Sequence, residues 1–153
     1  MENIGAIAII GKSLAECYNY TFLNESNRAR THGNDGLCDS TLSPGWYRFS
    51  GEAGTQMADS CVNTDHCGTA RPGWLKGTHP AVTDGAVQRQ VCFSRGRGHC
   101  CYYTTYIRVR NCGAFYVYKL NRPNVCDLRY CGDKFIPSSP GRGIQFHLTC
   151  TLL

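Results

Sequence analysis

A chain of 153 residues is the size of one domain, yet residues 17–131 hold only 18 Leu, Ile, Val and Phe in 115 positions, near the level at which an unaided chain stays disordered. The same stretch carries ten of the eleven cysteines, about 9%, which marks an exported disulfide scaffold and argues against a cytosolic domain. The net charge of +5 comes from twelve arginines and four lysines; they are scattered without a like-charge run, which speaks against nucleic acid and leaves a surface suited to anionic partners.

Residues 1–16 read as a leader or linker remnant. The apolar run 4–10 is short, and Glu2 and Asn3 stand where a signal peptide carries basic residues. No stretch reaches the roughly 18 apolar residues of a membrane span. Two N-glycosylation sequons follow, Asn19-Tyr20-Thr21 and Asn24-Glu25-Ser26, beside Cys17. They predict glycans at Asn19 and Asn24 and place that face in solvent. Residues 46–49 predict a strand ended by Gly51, and residues 52–62 a helix.

The segment Cys92-Phe-Ser-Arg-Gly-Arg-Gly-His-Cys100 is glycine-rich and basic, and it predicts an exposed loop. Arg95 and Arg97 there could meet a carboxylate or a sulfated sugar through their guanidinium forks; the alternative is a hairpin loop with solubilising charges. Residues 100–112 predict a half-buried strand, with Tyr103, Thr105, Ile107 and Val109 on one face and Thr104, Tyr106, Arg108 and Arg110 on the other. After Gly113, residues 115–118 predict a second strand paired to it as an antiparallel hairpin. Pro137, Pro140, Gly141 and Gly143 mark residues 134–153 as a linker or C-terminal tail.

The fold class expected is therefore mainly β, a small disulfide-rich extracellular module with little helix. Nine tyrosines and two tryptophans supplement its thin core, and bridges worth roughly 2–4 kcal/mol each supply the rest. Adjacent side chains on a strand point to opposite faces, so Cys100 and Cys101 would pin one strand between two layers; a bond between the two would need a strained ring. A zinc site, with His66 beside Cys67 and His99 beside Cys100, lacks the paired Cys-x(2–4)-Cys knuckles. No nucleophile elbow or phosphate-binding glycine loop occurs, so neither an enzyme nor a cofactor is expected.

Several segments point further: Cys17-Tyr-Asn-Tyr-Thr, Gly45-Trp-Tyr-Arg-Phe, Met57-Ala-Asp-Ser-Cys61, Trp74-Leu-Lys-Gly-Thr-His-Pro80, Gly98-His-Cys-Cys101, Tyr116-Val-Tyr118 and Tyr130-Cys131. Together they resemble the cysteine-rich module of uromodulin, shared with the pancreatic zymogen-granule glycoprotein and oncoprotein-induced transcript three. The resemblance covers residues 17–133. It implies the pairing Cys17–Cys112, Cys38–Cys126, Cys61–Cys100, Cys67–Cys131 and Cys92–Cys101, one of about 945 conceivable arrangements, and leaves Cys150 unpaired. It also implies a non-enzymatic recognition or adhesion module, decoy-like in presenting a high-mannose glycan to the adhesin of type one pili. The family's own sequons fall at Lys76 and Lys119, so glycan presentation would move to Asn19 and Asn24. The partners expected are a protein or a glycan-binding lectin, with further extracellular domains in a longer parent. The alternatives are a matrix component linked through Cys150 and a cysteine-rich inhibitor.

Overall fold

A computed structural model describes residues 13–96 and 98–135. The described residues form strands β1 Thr21–Leu23, β2 Gly45–Phe49, β3 Gln56–Met57, β4 Arg71–Lys76, β5 Val87–Phe93, β6 Tyr103–Asn111, β7 Tyr116–Leu120, β8 Leu128–Tyr130 and β9 Gly132–Asp133. The helices among them are three-residue 3-10 turns, and among the described residues no helix is long and apolar enough to cross a membrane. Seven strands make one sheet in the order β1-β2-β7-β6-β5-β4-β8, and β3 pairs with β9. The central pairs are antiparallel, while the edge pairs β1–β2 and β4–β8 are parallel.

The expected alternation holds along β6. Ile107 and Val109 are buried, Tyr103 and Thr105 half-buried, and Thr104, Tyr106 and Arg108 exposed. Arg110 keeps its place on the outer face but is only 6% exposed. Its guanidinium donates to Glu16 Oε1 at 2.7 Å and to the Ser13 carbonyl at 2.8 Å, so the segment before Cys17 covers it. The hairpin to β7 turns at Gly113, whose φ of +96° suits glycine and whose N–H donates to Asn111 Oδ1.

The inward face of the sheet carries Phe49, Leu75, Val91, Phe93, Val109, Tyr118, Leu120 and Tyr130, packed with Ala53 and Met57 in one core. Four of those are aromatic, and Phe49 meets Tyr118 edge-on at 5.4 Å while Phe93 meets Tyr130 at 5.6 Å. Aromatic area replaces the missing aliphatic residues here. A smaller cluster of Ala58, Val62, Cys67 and Cys131 lies against Trp74.

The helix expected over residues 52–62 is absent. A 3-10 turn, Gly51–Ala53, is followed by Gly54 at φ +102° and then by β3. Pairing of Gln56 and Met57 with Asp133 and Gly132 overrides the weak local helical pattern. A Cβ on Gly132 would collide with the Ala53 carbonyl and the Phe49 ring, so glycine is required where β9 crosses the core.

Five disulfides join Cys17 to Cys112, Cys38 to Cys126, Cys61 to Cys100, Cys67 to Cys131 and Cys92 to Cys101. Cys100 and Cys101 take different partners, but they precede β6 and do not lie on it as the alternation argument expected. Bridging Cys101 to Cys92, nine residues away, holds the segment in a closed loop outside the ladder.

A polar chain running from buried Tyr118 out to exposed Asp59 locks the loop between β4 and β5 to the core. Tyr118 Oη accepts the Met57 N–H at 2.9 Å and lies 2.8 Å from His79 Nε2, and His79 Nδ1 lies 3.4 Å from Asp59. With one hydrogen bond accepted, the tyrosine proton goes to Nε2, leaving Nδ1–H facing the carboxylate. Burial lowers the pKa of His79, against the opposing pull of Asp59. The unfolded chain therefore takes up this proton first, and the contribution of His79 is complete above the unfolded value near 6.5 and lost as pH falls below it. Urea midpoints should decline from about pH 7.5 to about pH 5.5, and His79→Gln should flatten that decline. An equal slope in the variant would rule out His79 as the source.

Candidate functional site

The two sequons flank β1, the edge strand that pairs in parallel with β2. Asn19 and Asn24 are both exposed, as are Thr21 and Ser26 that complete the sequons. Adjacent large hydrophobic residues are exposed too, Tyr18 at 82% and Phe22 at 50%. Cys17 fastens the start of this segment to Cys112, at the end of the β6–β7 hairpin.

Arg48 of β2 holds the edge strand in place. Its guanidinium carbon lies 3.8 Å from the Phe115 ring centre, 5.5 Å from Phe22 and 5.6 Å from Tyr20, and Nη1 donates to Tyr20 Oη at 2.9 Å. Three aromatic faces around one cation constitute a cation–π clamp. Arg48 Nε is buried without a protein acceptor, so the rings carry the interaction on that side.

Behind the turn that follows Asn24 lies a buried ionic network. Arg28, 3% exposed, forms a bidentate pair with Asp39, also 3% exposed, at 2.7 and 2.9 Å. Arg28 Nη1 also donates to the Tyr130 carbonyl, and the Tyr130 N–H donates to Asp39 Oδ2 at 2.9 Å. Burial alone would pull Arg28 down, but the Asp39 carboxylate overrides it and holds the guanidinium above its usual pKa. Arg129 approaches the same carboxylate only at 4.0 Å; burial and the neighbouring Arg28 lower its pKa.

The loop between β5 and β6 is drawn shut by Cys92–Cys101, whose Cα atoms are 4.6 Å apart, and by Arg95 N–H to the His99 carbonyl at 2.8 Å. Arg95 is exposed and stacks over Tyr102 at 4.3 Å. Arg97 and Cys150, like residues 1–12 and 136–153, lie outside the described residues. Lys76 and Lys119 are exposed on β4 and β7, and Lys119 sits directly opposite Arg108. Among the described residues no hydrogen bond or salt bridge joins either lysine to Arg95.

Sequence reading does not single out Arg48, Phe115 or the Arg28–Asp39 pair. The motif Gly45-Trp-Tyr-Arg-Phe does contain a signal, because alternation puts Arg48 on the face opposite Phe49. The partners of that arginine come from Tyr20 just before β1, from β1 itself and from the β6–β7 turn, which local pattern cannot supply.

Comparison with known proteins bears on this arrangement. Residues 47–132 match the family described as the uromodulin-like domain. The chain belongs to the uromodulin-like family. It is 44% identical to uromodulin of Rattus norvegicus over 124 residues, covering 80% of this chain and 18% of the relative. It is 43% identical to the pancreatic secretory granule membrane major glycoprotein GP2 of Homo sapiens over 118 residues, covering 75% and 21%. The uromodulin-like chain thus spans about a fifth of the length of these relatives. It is an extracellular type of module, mainly β and disulfide-rich. The family match begins at Tyr47, so the sequon-bearing strand β1 lies before it and β2 is its first strand.

Proposed function

We propose that this uromodulin-like module is a non-enzymatic recognition element that presents N-glycans at Asn19 and Asn24 to a lectin. The observation that carries the reading is the pair of exposed sequons at the two ends of an edge strand clamped by Arg48. A rigid edge holds two glycans a few residues apart, and two nearby copies of one ligand raise the effective concentration for a multivalent lectin. The family resemblance supplies the lectin to test, the mannose-binding adhesin of type one pili. Lys76 and Lys119 leave the family's own positions without an acceptor asparagine, so Asn19 and Asn24 take over that role.

The test is capture of piliated bacteria on the protein secreted from mammalian cells. Capture should be abolished by free mannose and by Asn19→Gln combined with Asn24→Gln, while each single variant retains part of it. Absence of mannose-sensitive capture by the glycosylated wild-type protein would sink the reading. Retention of full capture by the double variant would show that the two sequons are not the ligand.

A further inference from the structure

The strand register assembles a row of side chains across the outward face of the sheet. Trp46 on β2 stands opposite Lys119 on β7, Lys119 opposite Arg108 on β6, and Arg108 opposite Gln88 on β5. A second row places Tyr106 opposite Gln90, and Gln90 opposite Lys76 on β4. Asn121 joins it by donating to the Tyr106 carbonyl at 3.1 Å. Tyr106 is 57% exposed.

Like charges directly opposite one another destabilise an antiparallel pair. Lys119 and Arg108 form such a pair, and among the described residues neither has a salt-bridge partner. Glu16 feels the charge of Arg108, but its carboxylate is held by Arg110 at 2.7 Å. The Arg108 guanidinium is directed by the Ala86 carbonyl at 3.3 Å and is otherwise free among the described residues. Two shallow depressions of ≈ 440 and ≈ 460 Å³ adjoin on this face, and Arg108 and Lys119 line both. A structure that sets two unpaired cations in register, against its own stability, is complementary to an anion that it does not itself provide.

We infer that this face binds a sulfated glycosaminoglycan chain. Arg108 and Lys119 meet sulfate oxygens through charge-assisted hydrogen bonds. The Trp46 and Tyr106 rings offer apolar faces to the C–H side of a sugar, and Gln88, Gln90 and Asn121 serve its hydroxyls. The row from Trp46 to Gln88 crosses three strand spacings, roughly 14 Å, which suits about three sugar rings. This surface takes a glycan as ligand and does not depend on glycans carried at Asn19 or Asn24.

The experiment is calorimetric titration of the full secreted chain with a size-defined heparin oligosaccharide. Binding should weaken with added salt, as exposed ion pairs do. Arg108→Ala with Lys119→Ala should reduce affinity about tenfold or more, with a thermal midpoint equal to or above wild type because the repulsion is gone. Lys119→Arg should keep the binding. Arg95→Ala with Lys134→Ala, which removes the same charge elsewhere, should leave it nearly unchanged. The inference is overturned by absence of wild-type binding, by equal loss in both double variants, or by equally tight binding of a DNA duplex of matched charge.

Discussion

Replacing Asp39 by alanine is expected to destabilise the fold by about 3–5 kcal/mol and to lower the thermal midpoint by roughly 10–20 °C. The carboxylate answers two groups that have no exit to solvent, the Arg28 guanidinium and the Tyr130 N–H. Alanine leaves a buried cation with only the Tyr130 carbonyl and the half-exposed Glu25 at 3.3 Å. Arg129, whose Nε is already without a hydrogen-bond partner, then faces Arg28 with no anion between them. Removing one member of a buried pair is costly because the other remains charged. Replacing both removes the Arg28 cation together with its anion, so that Arg129 and the Tyr130 N–H lose Asp39 but no second buried cation faces Arg129. Arg28→Met with Asp39→Leu should therefore be more stable than Asp39→Ala alone, as judged by thermal and urea midpoints. If the double variant is the less stable of the two, the stranded charge is not the origin of the loss.

The location of this network makes the effect more than local. It ties the turn after Asn24 to the loop at Asp39 and to β8, joining residues up to 102 positions apart in the chain. Loosening it should free the C-terminal end of the sequon segment while Cys17–Cys112 still holds the other end. Hydrogen exchange in Asp39→Ala is thus expected to rise first at residues 24–30 and at β8.

How much of this is legible in the sequence depends on whether the signal is local. The β6 alternation, the turn at Gly113 and the strand ending at Phe49 are legible, because each depends on neighbours in the chain. The parallel edge pairing of β4 with β8 is not, since Arg71-Pro-Gly-Trp reads as a breaker and its partner lies over fifty residues away. The helix expected over residues 52–62 fails for the same reason, overridden by β9. Arg28 and Asp39 look like ordinary surface charges, and their burial comes wholly from tertiary structure. The cysteine pairing has about 945 alternatives by counting alone and is reached only through family resemblance. Alternation places Arg108 on the polar face, but its position opposite Lys119 depends on hairpin register, so the cationic row becomes visible only in three dimensions.

Two disulfides of very different span should separate loop entropy from local geometry. Cys17–Cys112 closes 95 positions and Cys92–Cys101 only nine. In the chain-entropy account the first stabilises by about 4–5 kcal/mol and the second by about 2.5. Changing both cysteines of a pair to serine avoids a free thiol, so urea midpoints should fall further for Cys17→Ser with Cys112→Ser than for Cys92→Ser with Cys101→Ser. The long bridge has a second consequence, because the segment it anchors carries Glu16 and Ser13 over Arg110. Releasing it should uncover Arg110 on the outward face, adding a third cation beside Arg108 and Lys119. Arg48 and its three rings should still hold β1 through Phe22 and the preceding Tyr20, so exchange should rise at residues 13–19 more than at 20–23. A larger loss from the nine-residue bridge would show that the local shape of the β5–β6 loop, and not unfolded-chain entropy, governs stability. A uniform rise in exchange across β1 would show that the arginine clamp contributes nothing without the disulfide.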